Sequence, residues 1–459
     1  MNLYQLARRA KGKYKEYVKA QAGRYLSPVR RIERVAPIPG ARLCAMTFDD
    51  GPAASPTNPP RSDRGLTDDL LDTLARFGAK GTFDVIGSTE ENYPDVQGPS
   101  GSFTWGGEAF DHYPDFGLDH LGGVKNQPAL TRRILNEGHE ITSHTYAHRL
   151  FGQNRLIYGK RRYFENIHEV IDDLKRLDTL LRDDFSYQIR LSRPPHYIDK
   201  TCDGHSSYDA YRYMNYQYMA ASFDGGGWQV SGDYKKDVAA MVTPLERALT
   251  ADIESLNGQI IFQKDGCNMS RETPVADALA PQLKLLYDRG YQVVTVSDLL
   301  ARSPFEDTGA ADPVHESARA LINRGYCVAY QNNSLQPDRV VTLGEFLMMC
   351  AEPEALLAAY RAYVDAEFRV DDGVTAQMKQ YHIAPTHPYA FAVPCAIARG
   401  VLPAENSARL RLGMPLTAPL LSELLTKLGG RPAAYTILNT AQQLKRRDVL
   451  PLLAELLLA

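Results

Sequence analysis

A chain of 459 residues with 44% hydrophobic and 23% charged residues has room for about three domains and too much apolar content for wholesale disorder. Its formal net charge of −3 carries no electrostatic footprint for nucleic acid. No run approaches the ~18 consecutive apolar residues of a membrane-spanning helix, so no transmembrane segment is expected. The near-neutral total conceals an asymmetry: residues 1–35 hold ten Lys/Arg and two acids, +8, which leaves −11 for the remainder.

That basic head, taken as residues 1–40, reads as a polar amphipathic helix whose apolar residues are Leu3, Tyr4, Leu6, Tyr14, Tyr17 and Val18. Its charges run throughout, so it lacks the apolar core of about 7–15 residues that marks a secretory leader, and sequence alone implies a cytoplasmic protein. Two roles stay open for it. It is a solvated helix lying on the acidic body, or it meets an anionic surface such as lipid headgroups or a cell-wall polymer. Six cysteines (Cys44, Cys202, Cys267, Cys327, Cys350, Cys395) lie far apart, a spacing of buried thiols rather than of a zinc finger or a disulfide scaffold.

Residues 42–48 form a short apolar run that breaks at Asp49-Asp50-Gly51-Pro52, the pattern of a buried strand ending in a loop. Thr67 is placed to N-cap a helix over 68–77, Gly78–Gly81 closes it, and Thr82–Ile86 is a second strand. The alternation continues through a helix near 129–137, an extended 140–143, and further rounds over 167–181, 218–223, 242–256, 259–262, 277–288 and 292–296. Strand and helix in turn predict an α/β fold with a mainly parallel sheet. Between Gly87 and Gln127 the pattern lapses into a Gly- and aromatic-rich stretch (Phe103, Trp105, Phe110, Tyr113, Phe116), either an ordered loop over a cleft or a decoration. Beyond Arg302 the chain turns helical, and two segments repeat weakly at an offset of 75 residues. Arg324-Gly325 matches Arg399-Gly400, Leu335 matches Leu410, and Val341-Thr342 matches Leu416-Thr417.

Asp49 and Asp50 fall at the C-terminal end of the first strand, where α/β folds gather ligand-binding groups, although an Asp-Asp-Gly triplet is also ordinary turn chemistry. His144 and His148 are four residues apart and share a face if the segment is helical. Two imidazoles and one carboxylate supply three N/O ligands and leave a position open, the pattern of a catalytic zinc site. The second aspartate is then free to act as a base.

Thr47-Phe48-Asp49-Asp50-Gly51-Pro52 and His144-Thr145-Tyr146-Ala147-His148 resemble the first two motifs of the polysaccharide deacetylases, the family 4 carbohydrate esterases with a NodB-homology domain. Lys80-Gly81-Thr82-Phe83, Gly138-His139-Glu140-Ile141 and Arg193-Pro194-Pro195 follow in the family's order, and the resemblance covers roughly 40–303. It implies an irregular (β/α) barrel over 41–303 that removes N- or O-acetyl groups from sugars. Asp50, His144 and His148 would hold a divalent ion, Zn2+ first among them. Asp49 would be the base, paired with Arg193, and the backbone N–H of His196, after Pro194, would help bind an oxyanion.

The chain departs from the family at the remaining motifs. Where the family usually has Asp-x-x-Asp-Trp, this sequence reads Asp224-Gly225-Gly226-Gly227-Trp228, and Lys264 stands where the family carries a histidine. Gly227 and Lys264 therefore replace a coupled Asp–His general acid. That loss should slow amide cleavage by about 10²–10⁴-fold unless Lys264 substitutes, and esters less. Asp224 and Trp228 remain candidates to line the acetyl-sugar site, a plain core Trp being the alternative. In the tail, 304–459, the segment His315–Leu347 is similar to an S-layer homology repeat and Pro388–Leu425 to a more degenerate one. The usual Thr-Arg-Ala-Glu tetrad reads Thr342-Leu343-Gly344-Glu345 and Thr417-Ala418-Pro419-Leu420, without the arginine. Two functions follow: a metal-dependent deacetylase of an acetylated glycan, peptidoglycan- or chitin-like, or a catalytically weakened glycan-binding module of the cell envelope.

Overall fold

Leu43–Phe48 is apolar at nearly every position rather than alternating, and in the computed structural model of the protein this run is an inner sheet strand, buried along its length. The structure describes residues 13–459 apart from 14–15, 62, 89–103, 106–107, 110–118, 153–162, 269, 370–372, 405–408 and 431–442. Most of the aromatic-rich stretch after Gly87, and residues 1–12 and 14–15 of the basic head, thus lie outside the described residues. The chain divides into two units, Ile32–Ser303 on one hand and the residues up to Arg31 with Pro304–Ala459 on the other.

In the Ile32–Ser303 unit the sheet strands are β1 (Arg42–Asp49), β2 (Thr82–Val85), β3 (Glu140–Ser143), β4 (Leu191–Ser192), β5 (Gln217–Met219), β6 (Phe223–Asp224), β7 (Ile260–Lys264) and β8 (Tyr291–Val294). They run in the spatial order β5-β4-β3-β2-β1-β7-β6, with β8 paired to the first half of β1. All these pairings are parallel. The helices between them are α1 (Leu66–Arg76), α2 (Pro128–Asn136), α3 (Ile167–Phe185), α4 (Ser207–Met214), α5 (Tyr234–Ala251), α6 (Pro274–Tyr287) and α7 (Val296–Arg302). This is the mainly parallel α/β sheet that the strand–helix alternation predicts, curled into the irregular (β/α) barrel that the family resemblance implies. Leu43, Ala45, Leu191, Met219, Ile260, Val296 and Leu299 form one of its buried clusters.

Two local expectations change. Helix α1 begins at Leu66 with Gly65 as its N-cap, and no side chain caps it. Thr67, read as the cap, instead donates its hydroxyl to the buried Asp265 at 2.7 Å and accepts from the Ala53 N–H at 2.7 Å. A buried carboxylate is a stronger claim on a hydroxyl than a helix end. The segment His144–His148 is not helical either. It is a loop with left-handed residues at Thr145 (φ 72°) and His148 (φ 50°).

The other unit is helical over 304–459, from α8 (Pro313–Asn323) and α9 (Leu343–Met349) through α10 (Pro353–Asp365), α11 (Val374–Gln380) and α12 (Ala392–Ala398) to α13 (Ala418–Lys427) and α14 (Arg446–Leu458). The weak sequence repeat corresponds to the pairs α8–α9 and α12–α13. Gly325 (φ 86°) and Gly400 (φ 70°) follow the first helix of each pair, in the left-handed conformation that ends a helix at least cost to glycine. Thr342 caps α9 in a capping box with Glu345, whereas Thr417 precedes α13 without a side-chain bond. Arg446 is buried here. It donates to the carbonyls of Leu335 (2.6 Å) and Val328 and lies over the Tyr330 ring at 4.8 Å.

Part of the basic head is consumed inside this same unit. Lys19 pairs with Glu306 at 2.6 Å, and Arg30 donates to the Pro304 carbonyl (3.1 Å) and to Asn333 (2.9 Å). Tyr17 and Val18, read as part of an apolar face, are exposed. No described helix is long and apolar enough to cross a membrane.

Candidate metal and acid–base site

The C-terminal ends of parallel strands converge on one cluster of ionisable side chains. Asp49 ends β1, His144 follows β3, Arg193 follows β4, and Lys264 ends β7 in register with Asp49. Asp50 adopts φ 86° directly after β1, and its carboxylate meets the His144–His148 loop. Its Oδ1 lies 3.3 Å from Nε2 of His144 and 3.2 Å from Nε2 of His148. One ligand atom from each of the three fits within 4.8 Å of the others, a candidate metal site. The two histidines that the sequence pairs do lie together, by a geometry other than the one expected. A left-handed loop, not a helical face, sets their rings 5.1 Å apart.

The donor chemistry suits a divalent ion such as zinc: one carboxylate oxygen and two imidazole nitrogens, all little exposed to solvent. The remaining nitrogen of His144 is also fixed. Nδ1 lies 2.8 Å from Asp84 Oδ2 and 2.9 Å from the Arg193 carbonyl, which aims Nε2 at Asp50. Burial alone would lower the pKa of His144, but Asp84 and Asp50 outweigh it and push it up to about 10. His148 moves the other way, lowered chiefly by burial.

Asp49 stands beside the donor set with different partners. Arg193 donates to its Oδ1 and to the Thr47 hydroxyl at 3.0 Å, with its guanidinium over the rings of Tyr197 (5.5 Å) and Phe262 (5.8 Å). Burial pushes the Asp49 carboxyl up to about 6, against the pull of Arg193 and His144 and with the help of Asp84 and Asp50. That moves the carboxyl toward neutrality, the range in which a carboxylate would serve best as a general base.

Asp84, the principal residue that sequence reasoning missed, had one available signal. It is an acid inside Thr82-Phe83-Asp84-Val85, a strand buried at every position. Asp173 is a second. From α3 it accepts the backbone N–H groups of Tyr146 (2.5 Å) and Ala147 (3.1 Å), so it holds the loop between the two histidines. Thr145 in that loop is buried at φ 72°, and its hydroxyl has no hydrogen-bond partner among the described residues. A β-branched residue in the left-handed region is strained, by an amount on the order of 1–3 kcal/mol.

The opposite rim is open. Asp224 is exposed and accepts from the Gly226 N–H (2.9 Å) and from the Trp228 indole (3.2 Å). Trp228 is 51% exposed, which excludes the core reading. Gly227 and Lys264 are neighbours, since a Cβ added at Gly227 would lie 3.4 Å from that of Lys264. Lys264 forms an ion pair with Asp50 Oδ2. Burial would lower its pKa, but Asp50 reverses the direction and raises it, opposite to what a lysine acid at neutral pH requires. Pro194 is buried. His196 is exposed at φ 55°, its ring 6.1 Å from that of His148.

Comparison with known proteins gives part of the chain a family match. Residues 37–202 match the polysaccharide deacetylase family. Over 262 residues the chain is 25% identical to a peptidoglycan-N-acetylglucosamine deacetylase of Bacillus cereus, covering 56% of this chain and 88% of that protein. It is 24% identical to the peptidoglycan-N-acetylmuramic acid deacetylase PdaC of Bacillus subtilis, covering 57% of this chain but only 39% of that protein. The solved structure of PdaC aligns with 57% of this chain and 91% of that one, at a TM-score of 0.37 and 22% identity. The motif residues and the sequence match agree: the chain carries a domain of the polysaccharide deacetylase family.

Proposed function

We propose that the chain is a metal-dependent hydrolase that removes N- or O-linked acetyl groups from a carbohydrate polymer, peptidoglycan- or chitin-like. The observation that carries this reading is the buried Asp49–Arg193 pair set directly beside Asp50, His144 and His148. The names of the relatives support the substrate class.

Asp50, His144 and His148 would hold the ion, Zn2+ by their donor types. Such an ion, when bound, supplies Lewis acidity toward an acetyl carbonyl and makes water a stronger acid. The chain's own residues do the remainder. Asp49 takes the proton of the attacking water at its carboxylate, and Arg193 keeps that carboxylate oriented and ionised. The Arg193 carbonyl, with Asp84 beside it, would orient the His144 ring, and the backbone N–H of His196 would donate to the developing oxyanion. Pro194, Asp224 and Trp228 would border the sugar. As a proton donor to the leaving group, Lys264 must first give up its hold on Asp50. The division into a head of 1–40, a deacetylase-like domain of 41–303 and an S-layer-like helical domain of 304–459 belongs to the same proposal.

A second reading has its own observation: Gly227 offers no side chain, and Lys264 is engaged with Asp50. A weakened, glycan-binding module is the function that combination favours. Acetate release from chitooligosaccharide and from peptidoglycan by the zinc-loaded chain separates the two. The hydrolase reading expects turnover that falls about 10³-fold in Asp49→Asn. Retained glycan binding with no acetate from the wild-type chain would hand the case to the second reading.

A further inference from the structure

The two oxygens of Asp50 do different work. Oδ1 faces both imidazoles, and Oδ2 carries the Lys264 ammonium. That contact is built into the fold. Lys264 is aligned with Asp49 across the β1–β7 pairing, and the next residue's N–H, from Asp265, bonds the Asp49 carbonyl at 2.6 Å. Two glycines border the lysine stem at ordinary van der Waals distance. A Cβ at Gly227 would sit 3.4 Å from Lys264 Cβ, and one at Gly266 would sit 3.7 Å from both Lys264 Cε and Asp50 Oδ2. The lysine side chain is only 13% exposed, so little water screens its charge.

We infer that Lys264 is a resident cation of the metal site, which holds Asp50 when the ion is away and opposes the ion when it arrives. A divalent cation bound through Asp50 meets a unit positive charge on the sister oxygen of the same carboxylate, with low screening between them. The carboxylate cannot serve both at full strength. The chain therefore binds its metal more weakly than its own three donors allow, and loading the site releases the lysine amine. The inference rests on Asp50, His144 and His148 being the ligands, as proposed above.

The full chain, stripped by chelation, is titrated with Co2+ by visible absorption and with Zn2+ against a chromophoric chelator. Lys264→Met is expected to bind at least about tenfold more tightly than wild type, and Lys264→Arg to stay within about threefold of it. Its metal-free melting temperature should fall and its rise on zinc addition should grow. Equal or weaker binding by Lys264→Met overturns the inference. Against the chance that this variant does not fold, the wild-type chain gives a second readout. Labelling of Lys264 by acetic anhydride, read by mass spectrometry, should increase at saturating zinc, and unchanged or reduced labelling overturns the inference. Binding by His148→Ala as tight as wild type would instead sink the ligand assignment, so the two failures are distinguishable.

Discussion

Two arginines, one in each unit, are among the largest fully buried side chains of the molecule, and they are neutralised in opposite ways. Arg193 is paired with a carboxylate, Asp49, at the mouth of a parallel sheet. Arg446 has no carboxylate within salt-bridge distance among the described residues and spends its guanidinium on the carbonyls of Leu335 and Val328 and on the Tyr330 face. A buried cation held by carbonyl dipoles staples chain segments together and leaves nothing reactive. One held by a carboxylate partly offsets the burial that pushes that carboxylate toward its protonated form, and this is chemistry in reserve. Burial of charge alone does not mark a site; the partner does.

The sharpest way to break this contrast is Arg193→Met. It leaves Asp49 buried without its cation, so unfolding free energy should drop by about 3–5 kcal/mol. Denaturant titration reads the drop, and acetate release should vanish with it. Arg446→Met should cost about 2–4 kcal/mol, because two buried carbonyls lose their donors, yet acetate release per folded molecule should stay at the wild-type level. If both variants lose activity equally at equal folded fraction, the distinction between the two arginines is wrong.

His139 supplies a third strategy, an ionisable group kept neutral. Burial, then Lys80, lowers its pKa to about 4, while Nδ1 accepts from the Gly81 N–H at 2.9 Å. Below the ordinary value near 6.5 the unfolded chain takes up a proton that the folded chain refuses, so stability falls as pH drops from 6.5 toward 4. Allowing for partial exposure, this amounts to about 2 kcal/mol. His139→Asn should flatten that part of the stability–pH curve. An unchanged slope would show that other groups carry it.

The smallest effect is the most diagnostic. Asp49→Asn added to Arg193→Met removes the stranded charge and should recover about 1–3 kcal/mol of the single variant's loss. A double variant no more stable than Arg193→Met would mean that packing around Tyr197 and Phe262, rather than charge, made the site depend on Arg193.

The strand–helix alternation was legible in the sequence, as were Asp49 and Asp50 at the end of an apolar run and His144 and His148 by their spacing, while Arg193 came only with the family resemblance. Periodicity and punctuation report such ends directly. The residues that support them were not. Asp84 and Asp173 sit on other elements, and what they do depends on which groups the fold delivers to them, side chains for Asp84 and backbone N–H for Asp173. Thr67 misled for the same reason, since its local pattern is a cap and its real partner is 198 positions away. At Gly227 and Lys264 the sequence told of two losses. It could not tell that the two positions touch, or that the lysine had taken hold of Asp50.

Thr145 has a consequence for anyone who breeds this protein for heat resistance. Lying between the two histidines, it combines a left-handed backbone with a buried hydroxyl that has no acceptor or donor among the described residues. Glycine or asparagine there would relieve the chain without removing any proposed ligand. A library selected only for survival on heating should therefore drift first at position 145. Whether those survivors still bind metal would reveal what the unfavourable threonine is kept for.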